Sequence, residues 1–172
     1  MADNYLEKRM DDYARGRVSG PHARRTSGPR PGTAVIKYPL LTVALSDADS
    51  GDADAIVSMF VSAGCKVVFT AADATRGRDI AQSRGGRFYP GGADEAVTDM
   101  ASRGEKADVV IACGTGGWPG CARRIRLTAD TGAAAGPGET VVISATPARA
   151  ALLCLALAHP DCDTSGQVIT CR

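Results

Sequence analysis

Residues 41–70 read LTVALSDADSGDADAIVSMFVSAGCKVVFT, and this stretch decides the fold. It opens with the mainly apolar segment LTVAL, passes through a polar loop, and places apolar residues at helical spacing from residue 54 to residue 63. Gly64 is a helix stop, and residues 66–70 are rich in the β-branched and aromatic side chains that favour strands. The stretch therefore predicts a strand, a helix and a second strand.

The same alternation continues through the rest of the chain. Further strands are predicted at residues 87–89, 108–113, 140–144 and 167–171, and further helices at residues 74–84, 94–103, 118–128 and 147–158. Apolar strands that alternate with helices predict a three-layer α/β sandwich whose sheet is covered on both faces. We expect a mainly parallel sheet of five or six strands, with residues 41–45 near its centre.

Two segments precede this α/β body, which we assign to residues 40–172. Residues 1–17 have apolar side chains near helical spacing and predict a short helix. Residues 18–39 are rich in proline, glycine and arginine, and predict a basic linker or an arm that wraps a partner. The whole chain has a net charge of +1, so nucleic acid is not an expected partner.

The six cysteines form no C-x-x-C pair, so the sequence indicates neither a zinc site nor a thioredoxin-type redox site. We interpret them as reduced core residues of a cytoplasmic protein. No secretory signal is visible, and no apolar run approaches the roughly 18 residues of a membrane span. Association with a membrane is therefore not expected.

The predicted helix at residues 147–158 is apolar on nearly every side. Thr146 and Pro147 are its expected N-cap and first helical residue. A helix of this composition must be buried in the core or in a subunit interface. We therefore expect a homo-oligomer, with this helix and the last strand at or near the interface.

Residues 41–113 resemble the first half of a short-chain dehydrogenase/reductase, a Rossmann-like family. The opening stretch has that family's order of strand, glycine loop, helix and second strand, and ADVVIACGTG at residues 107–116 resembles its fourth strand and Asn-Asn-Ala-Gly end. ALLCLALAHPDCDTSGQVITCR at residues 151–172 resembles its terminal helix, its Thr-Gly-Gln segment and its last strand. The resemblance implies a Rossmann fold, a homodimer and NAD(P)-dependent oxidoreductase ancestry.

The family's glycine loop reads Thr-Gly-x-x-x-Gly-x-Gly, and its matching positions here are Ser46, Asp47, Gly51 and Ala53. The resemblance makes the first three of these cofactor-binding candidates. Asp47, however, puts a carboxylate where the diphosphate would lie. Three more aspartates follow in the same loop: Asp49, Asp52 and Asp54. Because like charges repel, we expect any binding of NAD(P) to be weak.

Two other loops hold cofactor-binding candidates. The family contacts the adenosine ribose at about Ala71 and Ala72, and Asp73 follows directly; its alternative role is the N-cap of the next helix. After the strand at residues 108–113 come Gly114, Thr115 and Gly116, whose amides could meet a ligand. The alternative is a flexible loop left where a longer segment was lost.

The family's catalytic pair, a tyrosine followed four residues later by a lysine, is absent. None of the four tyrosines has a lysine at that spacing, and none follows the fourth strand, where the family places the pair. Ser144 ends a strand and is a candidate for the family's catalytic serine, although a structural serine is the alternative. We therefore expect oxidoreductase activity to be reduced or lost, and the catalytic residues are otherwise unknown.

Asp47, Asp49 and Asp52 are also candidates for a divalent cation site, since hard cations prefer carboxylates. The spacing does not match an EF-hand, and a solvated loop with Asp52 or Asp54 as a helix N-cap is the alternative. Three function classes remain open at this point. They are a divergent nucleotide- or dinucleotide-binding oxidoreductase relative, a non-enzymatic oligomeric interaction module, and a metal-assisted enzyme.

Overall fold

The computed structural model describes residues 38–171 except Thr115, Gly116, Ala122 and Ala145. One compact unit extends from Tyr38 to Arg172. The helix predicted at residues 1–17 and nearly all of the arm predicted at residues 18–39 lie outside the described residues, and both stay predictions.

The described chain forms seven strands and four helices. The strands are β1 (Thr42–Ser46), β2 (Lys66–Thr70), β3 (Arg87–Tyr89), β4 (Val109–Ala112), β5 (Arg124–Thr128), β6 (Glu139–Ser144) and β7 (Val168–Cys171). The helices are α1 (Ala53–Ser62), α2 (Ala74–Arg84), α3 (Ala93–Ser102) and α4 (Pro147–Ala158). All strand pairs are parallel, in the order β3-β2-β1-β4-β5-β6-β7. The α/β sandwich and the near-central position of β1 are confirmed, and the sheet has one strand more than the expected maximum.

The additional strand is β5, where the sequence pattern had favoured a helix over residues 118–128. That prediction is wrong, because RIRLT at residues 124–128 alternates in steps of two. Ile125 and Leu127 are buried on one face, while Arg124 and Arg126 lie on the other. β5 also pairs with β4 on one side and β6 on the other, so its backbone hydrogen bonds are satisfied within the sheet. This tertiary pairing overrides the helical spacing.

Two cores lie on opposite faces of the sheet. Helices α1, α2 and α4 cover one face, where Phe60, Ile80 and Cys154 belong to one buried cluster. On the other face, α3 contributes Met100 to a smaller cluster that also includes Trp118, which is only 3% exposed. The described residues between β4 and α4 contain two strands and no helix, so irregular chain covers this second face beyond α3.

A half-buried ion pair between Arg126 and Glu139 holds part of that irregular chain against the sheet. Arg126 Nε lies 3.1 Å from Glu139 Oε1, and its Nη2 donates to the Ala134 carbonyl at 2.7 Å. The Gly136 amide donates to the other Glu139 oxygen at 3.2 Å. The Arg126 side chain keeps the pKa of Glu139 below its ordinary value. The loop between β5 and β6 is therefore fixed by charge and hydrogen bonding.

Helix α4 begins as the sequence predicts, with Thr146 as N-cap and Pro147 in its first turn. Its inner face packs against α1 and the sheet, where Ala151 and Cys154 are fully buried. The expectation that α4 is buried on every side is not met by the described unit, because Leu152 is 60% exposed. A subunit interface over this outer face stays a prediction. No helix among the described residues is long and apolar enough to cross a membrane.

Arg123 closes the opposite end of α4. Its Nη2 donates to the carbonyl oxygens of Leu157 at 2.7 Å and His159 at 2.8 Å, and also to that of Cys162. The last carbonyls of a helix have no partner within the helix, and they carry the negative end of its dipole. A single guanidinium on the chain leading into β5 therefore satisfies the carboxyl terminus of α4.

We expect Arg123→Lys to lower the free energy of unfolding by about 1–2 kcal/mol, because an ammonium group cannot span the same set of carbonyls as a planar guanidinium. Urea denaturation followed by circular dichroism measures this. The neighbouring Arg124→Lys is the matched control and should change stability by less than about 0.5 kcal/mol. Equal losses in the two variants would contradict the assigned role of Arg123.

Candidate functional site

The loops after β1, β2 and β4 meet at the carboxyl edge of the sheet. Ala48 donates its amide proton to the Thr70 carbonyl at 2.8 Å, and Cys113 donates to the Ser46 carbonyl at 3.2 Å. The chain runs outward from β1 in one direction through β2 and β3, and in the other from β4 onward. Such a reversal of strand order is where open parallel sheets bind ligands. The fold thus gathers the candidates Ser46, Asp47 and Gly114 at one place.

Asp47 lies in the crevice between β1 and β4. Its φ is 56°, and it is the only non-glycine residue with a positive φ in the part of the chain that the structure describes. A Cβ atom built on Gly114 would lie 2.8 Å from Asp47 Oδ2, so the carboxylate rests directly against the Gly114 backbone. Aspartate adopts this left-handed backbone more readily than most residues, but at a cost that glycine avoids. The glycine position of the resemblance therefore keeps its backbone shape but carries a charged side chain.

Asp49 binds the loop that follows β2. Its Oδ2 accepts from the Ala72 amide at 2.6 Å and its Oδ1 from the Asp73 amide at 2.9 Å. These backbone donors, Asp73 first, hold the pKa of Asp49 below its ordinary value. The resemblance places the adenosine ribose contact at this loop. Here the chain's own carboxylate already takes the two amides.

Asp73 is a helix cap. Its Oδ1 accepts from the Thr75 amide at 2.8 Å and the Arg76 amide at 3.2 Å, so the N-cap interpretation is confirmed. Arg76 turns back to the first loop, where its Nη2 donates to the Ser50 carbonyl at 3.1 Å. The cofactor candidate Asp73 therefore caps α2, and Arg76 links α2 to the loop after β1.

The two remaining aspartates, Asp52 and Asp54, make different contacts. Asp52 is the N-cap residue of α1 but makes no side-chain capping hydrogen bond. Asp54 lies in the first turn of α1, and its Oδ2 pairs with Arg84 Nη2 at 3.0 Å. No group of three or more histidine, cysteine or acidic residues that could hold a metal ion is found among the described residues. The structure therefore does not bring Asp47, Asp49 and Asp52 together as a ligand set.

Beside the β1–β4 crevice, a cleft of about 230 Å³ opens at the carboxyl ends of β4, β5 and β6. Its described lining residues are Asp52, Cys113, Leu127, Thr128, Ala129, Val142 and Ser144. The apolar members belong to the strands and form the walls, while the polar members come from the strand ends and the start of α1. The cleft is small, mixed in polarity and bordered by one carboxylate.

The Cys113 thiol in this cleft is neutral at physiological pH. Burial is the main reason that its pKa rises to about 12, and the nearby charges of Asp52 and Asp47 raise it further. A thiol reacts as a nucleophile only when ionised. Cys113 is therefore a polar contact in the cleft and not a reactive group.

Ser144 also lines the cleft, and its hydroxyl donates to the Thr146 carbonyl at 3.2 Å. Neither tyrosine of the described residues accompanies it. Tyr38 donates its hydroxyl proton to the Leu155 carbonyl, and the Tyr89 hydroxyl donates to Asp99 Oδ2 at 2.5 Å. Burial raises the pKa of both phenols. Ser144 thus has no phenol beside it, and its catalytic assignment stays a prediction.

Sequence reasoning found one side of this cleft and missed the other. Ser144 and Asp52 were recognised because each borders a predicted element. Thr128 and Leu127 were hidden by the helix predicted over residues 118–128. The alternation in RIRLT was the signal that could have revealed both. Thr115 and Gly116 lie outside the described residues, so their candidacy is untested, and Gly51 does not line this cleft.

No protein-family model and no curated protein matches the chain, but solved structures do. BdcA from E. coli matches with a TM-score of 0.54 at 18% identity, covering 78% of this chain and 100% of BdcA. A short-chain dehydrogenase/reductase from Brucella melitensis matches with a TM-score of 0.61 at 13% identity, covering 80% and 97%. A short-chain dehydrogenase from Bacillus anthracis gives 0.61 at 11% identity, covering 76% and 94%. This chain therefore has the fold of the short-chain dehydrogenases/reductases.

We expect Asp49→Asn to destabilise the protein by about 1 kcal/mol near neutral pH, since one charged acceptor is lost from a partly exposed site. The folded-state pKa of Asp49 is lowered, so its contribution is complete above the unfolded pKa and disappears as pH falls through the folded one. Urea denaturation of both proteins from pH 7 to pH 2 should show the difference shrinking below about pH 4. Asp79→Asn, at an exposed position of α2, should show no such trend.

We expect Cys113 to resist iodoacetamide at pH 8.5 in the folded protein, because a thiol with a pKa of about 12 is almost wholly protonated there. The same residue should react readily in urea, where its pKa returns to the ordinary value of about 8.5. Peptide mass spectrometry distinguishes the six cysteines. Rapid modification of Cys113 in the folded chain would contradict the neutral thiol.

Proposed function

We propose that this chain does not carry out dinucleotide-dependent reduction and instead binds a small molecule in the cleft at the carboxyl ends of β4, β5 and β6. One observation carries the proposal. The carboxylate of Asp47 rests against Gly114 in the crevice that a dinucleotide diphosphate would have to cross. A diphosphate would meet like charge there, where a helix N-terminus would otherwise favour an anion.

The loop after β2 also argues against the binding of a dinucleotide. Asp49 accepts from the Ala72 and Asp73 amides, so the chain itself satisfies the donors nearest the expected adenosine end. BdcA, which shares the fold, has been crystallised with NADPH. At 16% identity, that complex says where the fold can place a dinucleotide and nothing of whether this chain binds one. Both ends of that path carry this chain's own carboxylates.

Among the described residues, no tyrosine is placed beside the cleft to supply the proton that carbonyl reduction needs. A carbonyl that receives a hydride must take up a proton, and a positioned acid supplies it. Tyr38 and Tyr89 are both hydrogen-bonded to other parts of the protein and do not line the cleft. Tyr5 and Tyr13 lie outside the described residues, and neither is followed by a lysine four positions later. What remains is a cleft that can bind a ligand without reducing it.

We expect the unmodified chain neither to bind NADPH at millimolar concentration nor to oxidise it with a panel of ketones. Asp47→Gly should raise NADPH affinity by roughly tenfold, because it removes one opposing charge and supplies the residue that prefers a positive φ. Fluorescence titration of NADPH measures binding. Asp94→Gly, in the first turn of α3, removes a carboxylate that belongs to neither the loop after β1 nor the loop after β4, and it should leave affinity unchanged.

Micromolar NADPH binding with turnover by the unmodified chain would overturn the proposal. If Asp47→Gly folds normally but gains no affinity, then the crevice is closed by its shape and not by the Asp47 charge. That result would contradict the electrostatic argument on which the proposal is based.

A further inference from the structure

We infer that the cleft at the carboxyl ends of β4, β5 and β6 binds a small molecule that carries a cationic nitrogen, held by Asp52. This inference rests on the proposed function and names the ligand class of the same site. It follows from the charge of the lining, the accessibility of Asp52 and the polarity of the walls.

The lining of the cleft has one sign of charge. Asp52 is the only charged side chain among its described lining residues, and none of them is a lysine, an arginine or a histidine. Asp47 adds to this field, because both carboxylates lie close enough to Cys113 to disfavour its thiolate. In a partly shielded cleft, such carboxylates repel anions and attract cations more strongly than they would in bulk water, and they oppose the attraction for anions of the N-terminus of α1.

Asp52 is placed to meet a ligand. It is the N-cap of α1, yet its carboxylate makes no capping hydrogen bond, unlike that of Asp73 at the start of α2. Asp54, two residues later, is already committed to Arg84. Within the described chain, the Asp52 carboxylate is therefore the one acid of the first loop that both borders the cleft and is left to a ligand.

The residues that form the walls of the cleft determine the polarity and size of the rest of the ligand. Leu127 and Val142 are buried apolar residues of β5 and β6, so the body of the ligand should be apolar at that side. Thr128 and Ser144 add hydroxyl groups at the strand ends. The volume of about 230 Å³ exceeds the roughly 150 Å³ of a cavity that accommodates benzene. A single ring with an aminomethyl group fits these requirements.

Three probes of one shape test the inference on the full chain: benzylamine, benzyl alcohol and benzoate. They share a benzene ring and differ in carrying a cation, a neutral hydroxyl or an anion. Isothermal titration calorimetry should show benzylamine binding at least roughly tenfold more tightly than benzyl alcohol, with no detectable binding of benzoate.

The variant Asp52→Asn should abolish the preference for benzylamine over benzyl alcohol. Asparagine is as good an N-cap as aspartate, so α1 should stay folded, which circular dichroism verifies. Asp94→Asn is the matched control, because it removes a carboxylate from the first helical turn of α3, and Asp94 does not line the cleft. It should leave all three affinities unchanged.

The outcomes separate the two proposals. If benzyl alcohol or benzoate binds as tightly as benzylamine, or if Asp52→Asn leaves the benzylamine preference intact, the cationic ligand is ruled out while a small-molecule cleft stands. If none of the three probes binds, the cleft does not take a small ligand of this size, and the proposed function is overturned as well.

Discussion

The parallel pairing of β1 with β2 on one side and β4 on the other is the constraint on which this structure depends. It is continuous on both sides, and the side chains of Val43, Ala44 and Leu45 are almost fully buried. A strand buried on both faces needs a layer over each, which α1 and α3 provide from opposite sides. It also brings the ends of β1, β2 and β4 to one edge, so the loop after β1 must meet both neighbouring loops.

The part of the sheet beyond β4 also needs a covering layer on each face, but the cover of its second face is not helical. The described links from β4 to β5 and from β5 to β6 contain no helix, so the second face loses the usual cover of a parallel sheet. Trp118 fills part of that layer beside α3, and the Arg126–Glu139 pair fastens the loop over β5 and β6. On the first face, Arg123 secures α4. In this half of the sheet, arginine side chains with several donors thus fix a helix end and a loop by hydrogen bonds.

The aspartates of the first loop act mainly within the protein. Asp49 and Asp54 hold neighbouring elements, and Asp47 adopts a backbone conformation that usually requires glycine. A loop that binds phosphate needs free amides and close approach of the backbone, whereas here Asp49 takes two amides of the neighbouring loop and the Asp47 carboxylate rests against Gly114. Asp52, the fourth of these aspartates, borders the adjacent cleft with its carboxylate. One change of composition therefore disfavours one class of ligand and favours another.

The sequence by itself determined the α/β class, the order of most elements, and the caps at Asp73 and Thr146, because hydrophobic period and capping residues act locally. The resemblance also pointed to the two glycine positions of the loop that are occupied here by Asp47 and Ala53. The sequence could not place β5, since a five-residue alternating segment becomes a strand only when β4 and β6 supply its hydrogen bonds. Nor could it show which of the four aspartates, Asp47, Asp49, Asp52 and Asp54, bonds a neighbouring loop or helix and which one lines the cleft. Their roles depend on the distances between loops that are far apart in the chain, and only the packed sheet sets those distances.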